Sequence, residues 1–151
     1  MQNNRYEDLL IRVEDDLANR GMPATILDTI PLKENSGLAG VTSIKDGKVY
    51  IFVDRTLSTF EKAETLVEEY FHAISDLGDI MDYQSTRAHN NEVSAREGVL
   101  SYMTSLDDIQ RLIAQYPDEP LAPWMLVEAF GYPLDFAQDT LNYYQRSGEL
   151  A

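Results

Sequence analysis

The feature that most constrains the fold of this chain is an amphipathic segment at residues 59–75. Its apolar residues recur at the three- and four-residue spacing of an α-helix, so one broad side should be buried. They are Ala63, Leu66, Val67, Tyr70, Phe71 and Ile74. Ser58 and Glu61 form a Ser-x-x-Glu capping box, which is typical of a helix start. We therefore predict a helix here around which the rest of the chain is organised.

Composition limits the class of protein. The chain has 151 residues, 44% of them hydrophobic, which suits one globular domain over residues 1–151. It has no cysteine, which excludes disulfides and thiolate metal sites. Its formal charge of −14 argues against direct nucleic-acid binding. The same charge either favours basic protein partners or only keeps the protein soluble, and charge alone does not distinguish the two. No signal-peptide core or membrane-length apolar run is seen, so we expect a cytoplasmic protein without a membrane partner.

Local patterns around the central helix predict an α+β fold with a small antiparallel sheet. The strongest strand signal is Asp46-Gly47, a two-residue turn between two β-branched, apolar stretches. The predicted elements are a helix at 4–19, a strand at 25–30, a loop or irregular edge at 33–40, and strands at 41–45 and 48–53.

The second half of the chain is predicted to be helical. Residues 76–84 are too rich in glycine and aspartate to continue the central helix. Asn90 or Asn91 can cap the next helix, and a Ser-x-x-Asp box at Ser105 begins another. A short helix at 124–130 and a last helix with Pro133 in its first turn complete the prediction, after a loop at 117–123.

The chemistry of the central helix lies in Glu68-Glu69-Tyr70-Phe71-His72. Glu68 and His72 are four residues apart and project from the same face. Zinc peptidases place two ligands at this spacing, with a glutamate general base beside the first. By spacing alone, a solvated helix face explains the pair equally well. A catalytic metal also needs a third ligand, for which His89, the only other histidine, and a carboxylate such as Glu92 are the candidates.

Residues 37–103 resemble the ImmA/IrrE-type metallopeptidases. The resemblance rests on Glu-Glu-x-x-His at 68–72, Gly-Asp-Ile-x-Asp at 78–82 and Asn-x-Glu-x-x-Ala-Arg at 90–96. These relatives are zincin-like proteins of bacteria and their mobile elements, including phages, and several act on helix-turn-helix repressors. The resemblance implies a zincin-like α+β fold with the motif on a central helix.

The resemblance also implies roles for individual residues. Glu68, His72 and Glu92 would be metal ligands, and Glu69 would be the catalytic general base. Glu68 stands where the His-Glu-x-x-His form of the motif has its first histidine. Two carboxylates and one imidazole leave a divalent ion formally neutral, so bound water should be less acidic. Zinc is the expected metal, and this harder ligand set extends the choice to manganese or iron.

Two functions follow from these considerations. The first is a metal-dependent endopeptidase that acts on a protein, with a helix-turn-helix repressor of a mobile element as the expected substrate. The alternative is a non-catalytic zincin-like module that binds and sequesters a regulatory protein. Metal content and dependence on Glu69 distinguish the two.

Overall fold

A computed structural model of the chain describes residues 5–78 and 96–148. These residues combine α-helices with a three-stranded sheet, which confirms the α+β class. They form two compact units, residues 5–78 with 96–99, and residues 100–148. No helix in the described ranges is both long enough and apolar enough to cross a membrane.

The first unit holds the sheet and the central helix. Its elements are α1 (Arg5–Asn19), β1 (Ala24–Leu27), α2 (Leu32–Ser36), β2 (Gly40–Lys45), β3 (Lys48–Val53), α3 (Thr59–Gly78) and residues 96–99 of α4, a helix that is described over residues 96–103. The helix α3 packs against β2, β3 and α1. Its buried side consists of Ala63, Leu66, Val67, Tyr70 and Ala73.

The sheet is mixed, so the prediction of an antiparallel sheet is wrong for one of its two strand pairs. The strand order is β1-β3-β2, with β2 antiparallel and β1 parallel to β3. The central strand β3 is the most apolar, and its Val49, Ile51 and Val53 are fully buried. Among the described residues, the only neighbour of β1 in this sheet is β3, and the two strands run parallel.

The hairpin between β2 and β3 agrees with the prediction. Asp46 and Gly47 both have positive φ, 54° and 77°. Positive φ at both central residues is the requirement of a type I′ turn, whose twist matches that of the strands. The strand β3 has the predicted limits, and β2 begins one residue earlier, at Gly40.

The predicted loop at residues 33–40 is wrong in part, because residues 32–36 form α2. Asp54, fully buried after β3, accepts a hydrogen bond from the Lys33 amide at 2.8 Å. It also accepts bonds from the Thr56 amide and hydroxyl. Gly37 ends the helix in the left-handed conformation, φ 77°. The partner that fixes the start of α2 is thus 21 residues away, which local patterns do not show.

The start of α3 is as predicted. The Ser58 amide donates to Glu61 Oε1 at 3.0 Å, and the Glu61 amide donates to Ser58 Oγ at 3.1 Å. These reciprocal bonds form the capping box. The helix continues to Gly78, three residues beyond the predicted end at residue 75. The strand β1 is instead shorter than predicted and ends at Leu27, before Asp28 accepts a bond from the Tyr6 hydroxyl at 2.7 Å.

The second unit is helical. After the end of α4 come α5 (Leu106–Gln115), α6 (Pro123–Phe130) and α7 (Leu134–Ser147). The predicted capping box of Ser105 and Asp108 is present. Pro133 is the N-cap of α7, one position before the predicted first turn. Thr104 is buried and hydrogen-bonded to the hydroxyls of Tyr132 and Tyr144, through its own hydroxyl and its carbonyl respectively.

Candidate functional site

The solvent side of α3 carries an acidic stripe, which we define as Glu64, Glu68 and His72. The three side chains follow one another at four-residue steps, so they project from the same face. Glu68 and His72 are exposed, and the Glu64 side chain is 25% exposed. Two of the predicted metal ligands therefore lie one helical turn apart and open to solvent.

Glu68 is electrostatically strained. The pKa of its carboxyl is raised, first because neighbouring chain atoms remove part of its hydration and then because the Glu64 carboxylate repels its negative charge. Arg96 and His72 act in the opposite direction, and Glu69 adds to the repulsion. A cation bound beside Glu68 would offset the repulsion from Glu64 and Glu69.

Arg96 links the stripe to α4. Its Nη1 donates to Glu64 Oε2 at 2.9 Å, with side chains 44% and 25% exposed. An ion pair this exposed contributes about 0–1 kcal/mol, so its main effect is to fix position. Gly98, two residues further along α4, faces the Phe71 ring so closely that an added Cβ would lie 3.0 Å from Cζ. Residues 96–98 of α4 thus lie directly beside α3.

Glu69 lies on a different side of α3 and faces strand β2. The Thr42 hydroxyl donates to Glu69 Oε1 at 2.8 Å and lies 3.1 Å from the Glu69 backbone carbonyl. Gly40, two residues earlier on the same strand face, leaves room for this contact. A Cβ at Gly40 would lie 2.5 Å from Thr65 Cγ2, 3.1 Å from Glu69 Cγ and 3.3 Å from Glu69 Oε2.

The predicted site residues fall into three groups. Glu68 and His72 share the exposed face of α3, and Glu69 is half-buried against β2. Glu92 and His89, the two candidates for the third ligand, lie outside the described residues. Within residues 5–78 and 96–148, no three acidic or histidine side chains come together as a metal site. The described residues therefore include two of the predicted metal ligands, Glu68 and His72. The choice of the third ligand stays a prediction.

The contact of β2 with Glu69 is not predictable from local sequence patterns. The alternation of a strand places Gly40 and Thr42 on one face, which the sequence does reveal. It does not reveal that this face meets Glu69, which is 27 residues further along the chain than Thr42. Arg96 ends the Asn-x-Glu-x-x-Ala-Arg motif, but nothing in the motif indicates its partner Glu64, which is 32 residues away.

Comparison with known proteins adds no identification: no family model, curated protein or solved structure matches the chain.

Proposed function

We propose that this chain is a metal-dependent endopeptidase of the zincin-like ImmA/IrrE type. Its proposed substrate is a protein, with a helix-turn-helix repressor of a mobile element as the first candidate. One observation carries the proposal. The helix α3 leaves Glu68 and His72 exposed one turn apart, whereas Glu69 is held against β2 by Thr42. Metal-assisted hydrolysis needs side chains that can bind a cation, and it needs a base that is held in a fixed position.

The donor chemistry fits a divalent ion. Glu68 offers a carboxylate oxygen and His72 an imidazole nitrogen at the spacing that zinc peptidases use. We assign the third position to Glu92, with His89 as the alternative. Zinc is the proposed ion because it accepts both donor types, and manganese or iron would also suit two carboxylates and one imidazole.

In the proposed reaction, a bound ion would supply the Lewis acidity that polarises the peptide carbonyl. Glu69 takes a proton from the attacking water, whose oxygen forms a bond to the carbonyl carbon. The same carboxyl then gives a proton to the leaving nitrogen as the carbon–nitrogen bond breaks. Thr42 donates to Oε1, and we assign these proton transfers to the other oxygen, Oε2.

The test is cleavage of the helix-turn-helix repressor encoded nearest to the gene for this chain. The purified zinc-loaded protein should cut it, and a chelator should stop the cutting. Glu69→Gln should lower the rate by about 10²–10⁴-fold, the usual contribution of a general base. Glu14→Gln is the matched control, since Glu14 is exposed on α1 of the same unit.

Cleavage that survives both the chelator and Glu69→Gln would contradict the proposal. A stable complex with an intact repressor would instead support the sequestering module.

A further inference from the structure

The contact between β2 and α3 is more specific than helix-on-sheet packing requires. Thr42 has a single hydroxyl proton, and its shorter contact is to the carboxylate of Glu69, at 2.8 Å, against 3.1 Å to the backbone carbonyl. A hydrogen bond to an ionised acceptor is also the stronger kind. The hydroxyl is therefore directed mainly at Glu69 Oε1.

The second carboxylate oxygen of Glu69, Oε2, lies beside Gly40. Glu69 Oε2 lies 3.3 Å from the place where a Cβ at residue 40 would stand, so any larger residue would crowd it. Thr65 limits the same space, at 2.5 Å from that point. One oxygen of Glu69 is thus bonded to Thr42, and the other lies over bare backbone.

We infer that Thr42 is a positioning residue for the proposed base Glu69, and that Gly40 provides the space which this position needs. The inference rests on the proposed endopeptidase function. A glutamate side chain has three rotatable torsions, and a base must hold its oxygen within hydrogen-bond reach of the proton it takes. The Thr42 bond removes most of that freedom and presents Oε2 in one direction.

Three variants test this role. Thr42→Val keeps the shape of the side chain but removes the hydroxyl, and Thr42→Ser keeps the hydroxyl. Thr25→Val is the control, because Thr25 is an exposed threonine on the outer strand β1. With the zinc-loaded protein and the repressor as substrate, Thr42→Val should lower kcat by about 10–100-fold, as loss of a supporting hydrogen bond commonly does. KM should change little, Thr42→Ser should retain most of kcat, and Thr25→Val should match the original protein.

A double variant separates positioning from general stability. If Thr42 acts through Glu69, Thr42→Val should not lower the cleavage rate further in a protein that already carries Glu69→Gln. An equal loss of residual activity in both backgrounds would overturn the inference, as would a kcat unchanged by Thr42→Val. If the original protein cleaves nothing, the proposed function itself fails and the role of Thr42 fails with it. Cleavage that needs Glu69 but not Thr42 would leave the function standing and remove only this inference.

Discussion

The two sides of α3 give adjacent carboxylates different surroundings. Glu68 is exposed among like charges, and its pKa is raised by partial loss of water and by Glu64. Glu69 is half-buried and bonded to Thr42 on β2. The two surroundings suit the different roles proposed for them, with Glu68 open to a cation and Glu69 held in place as a base. The difference arises because a one-residue step on a helix turns the side chain by about 100°.

The largest expected effect is a loss of stability from a substitution on β2, at its contact with α3. Gly40→Ala places a methyl group 2.5 Å from Thr65 Cγ2, so the strand or the helix must move. Overpacking of this kind costs about 1–3 kcal/mol of unfolding free energy. Chemical denaturation of the metal-free protein measures this loss.

Thr65→Ser in the Gly40→Ala background removes that methyl contact while keeping the hydroxyl. The double variant should regain part of the unfolding free energy that Gly40→Ala loses. Its cleavage rate should stay low, because Glu69 Cγ would still lie 3.1 Å from the new Cβ. Full recovery of both would mean that Gly40 matters only for packing against Thr65.

A smaller effect is expected from the link between α3 and α4. Glu64→Gln and Arg96→Gln should show a coupling of about 0–1 kcal/mol in a double-mutant cycle, because the pair is partly exposed. The coupling should shrink as salt is raised. Coupling that is insensitive to salt would mean that the two residues interact through packing instead of through charge.

The smallest effect concerns the dependence of stability on pH. The folded pKa of Glu68 is raised above its ordinary value of 4.5. Below that value Glu68 is protonated in both states, and its full contribution to stability is present. As pH rises through the folded pKa, this contribution is lost, because the unfolded chain releases the proton more readily.

Glu68→Gln should therefore flatten the decline in stability of the metal-free protein above pH 4.5. The change should be small, since the side chain is exposed. Thermal unfolding from pH 4 to pH 7 measures it, with Glu14→Gln as the control. An identical slope in both variants would show that the surroundings of Glu68 do not strain it.

The sequence predicts those features that depend on neighbouring residues. Asp46-Gly47 fixes the hairpin turn, Ser58 and Glu61 fix the start of α3, and helical spacing places Glu68 and His72 on one face. Each of these signals lies within a few residues of its partner. They account for most of the first unit and for two of the proposed ligands.

Features that depend on distant partners were not predictable in this way. The helix α2 depends on Asp54, the parallel pairing of β1 depends on β3, and the orientation of Glu69 depends on Thr42. No local pattern of charge or hydropathy encodes these contacts. They are also the contacts that separate the surroundings of Glu69 from those of Glu68.

In the proposed site, Glu68 holds a metal ion and Glu69 does not. The most direct test is the zinc content of three proteins after equilibration with zinc and removal of the excess: the original chain, Glu68→Gln and Glu69→Gln. We predict about one zinc ion per chain in the original and in Glu69→Gln. Glu68→Gln should hold far less. Full zinc in Glu68→Gln together with its loss in Glu69→Gln would contradict the account, since the two carboxylates would then have exchanged roles.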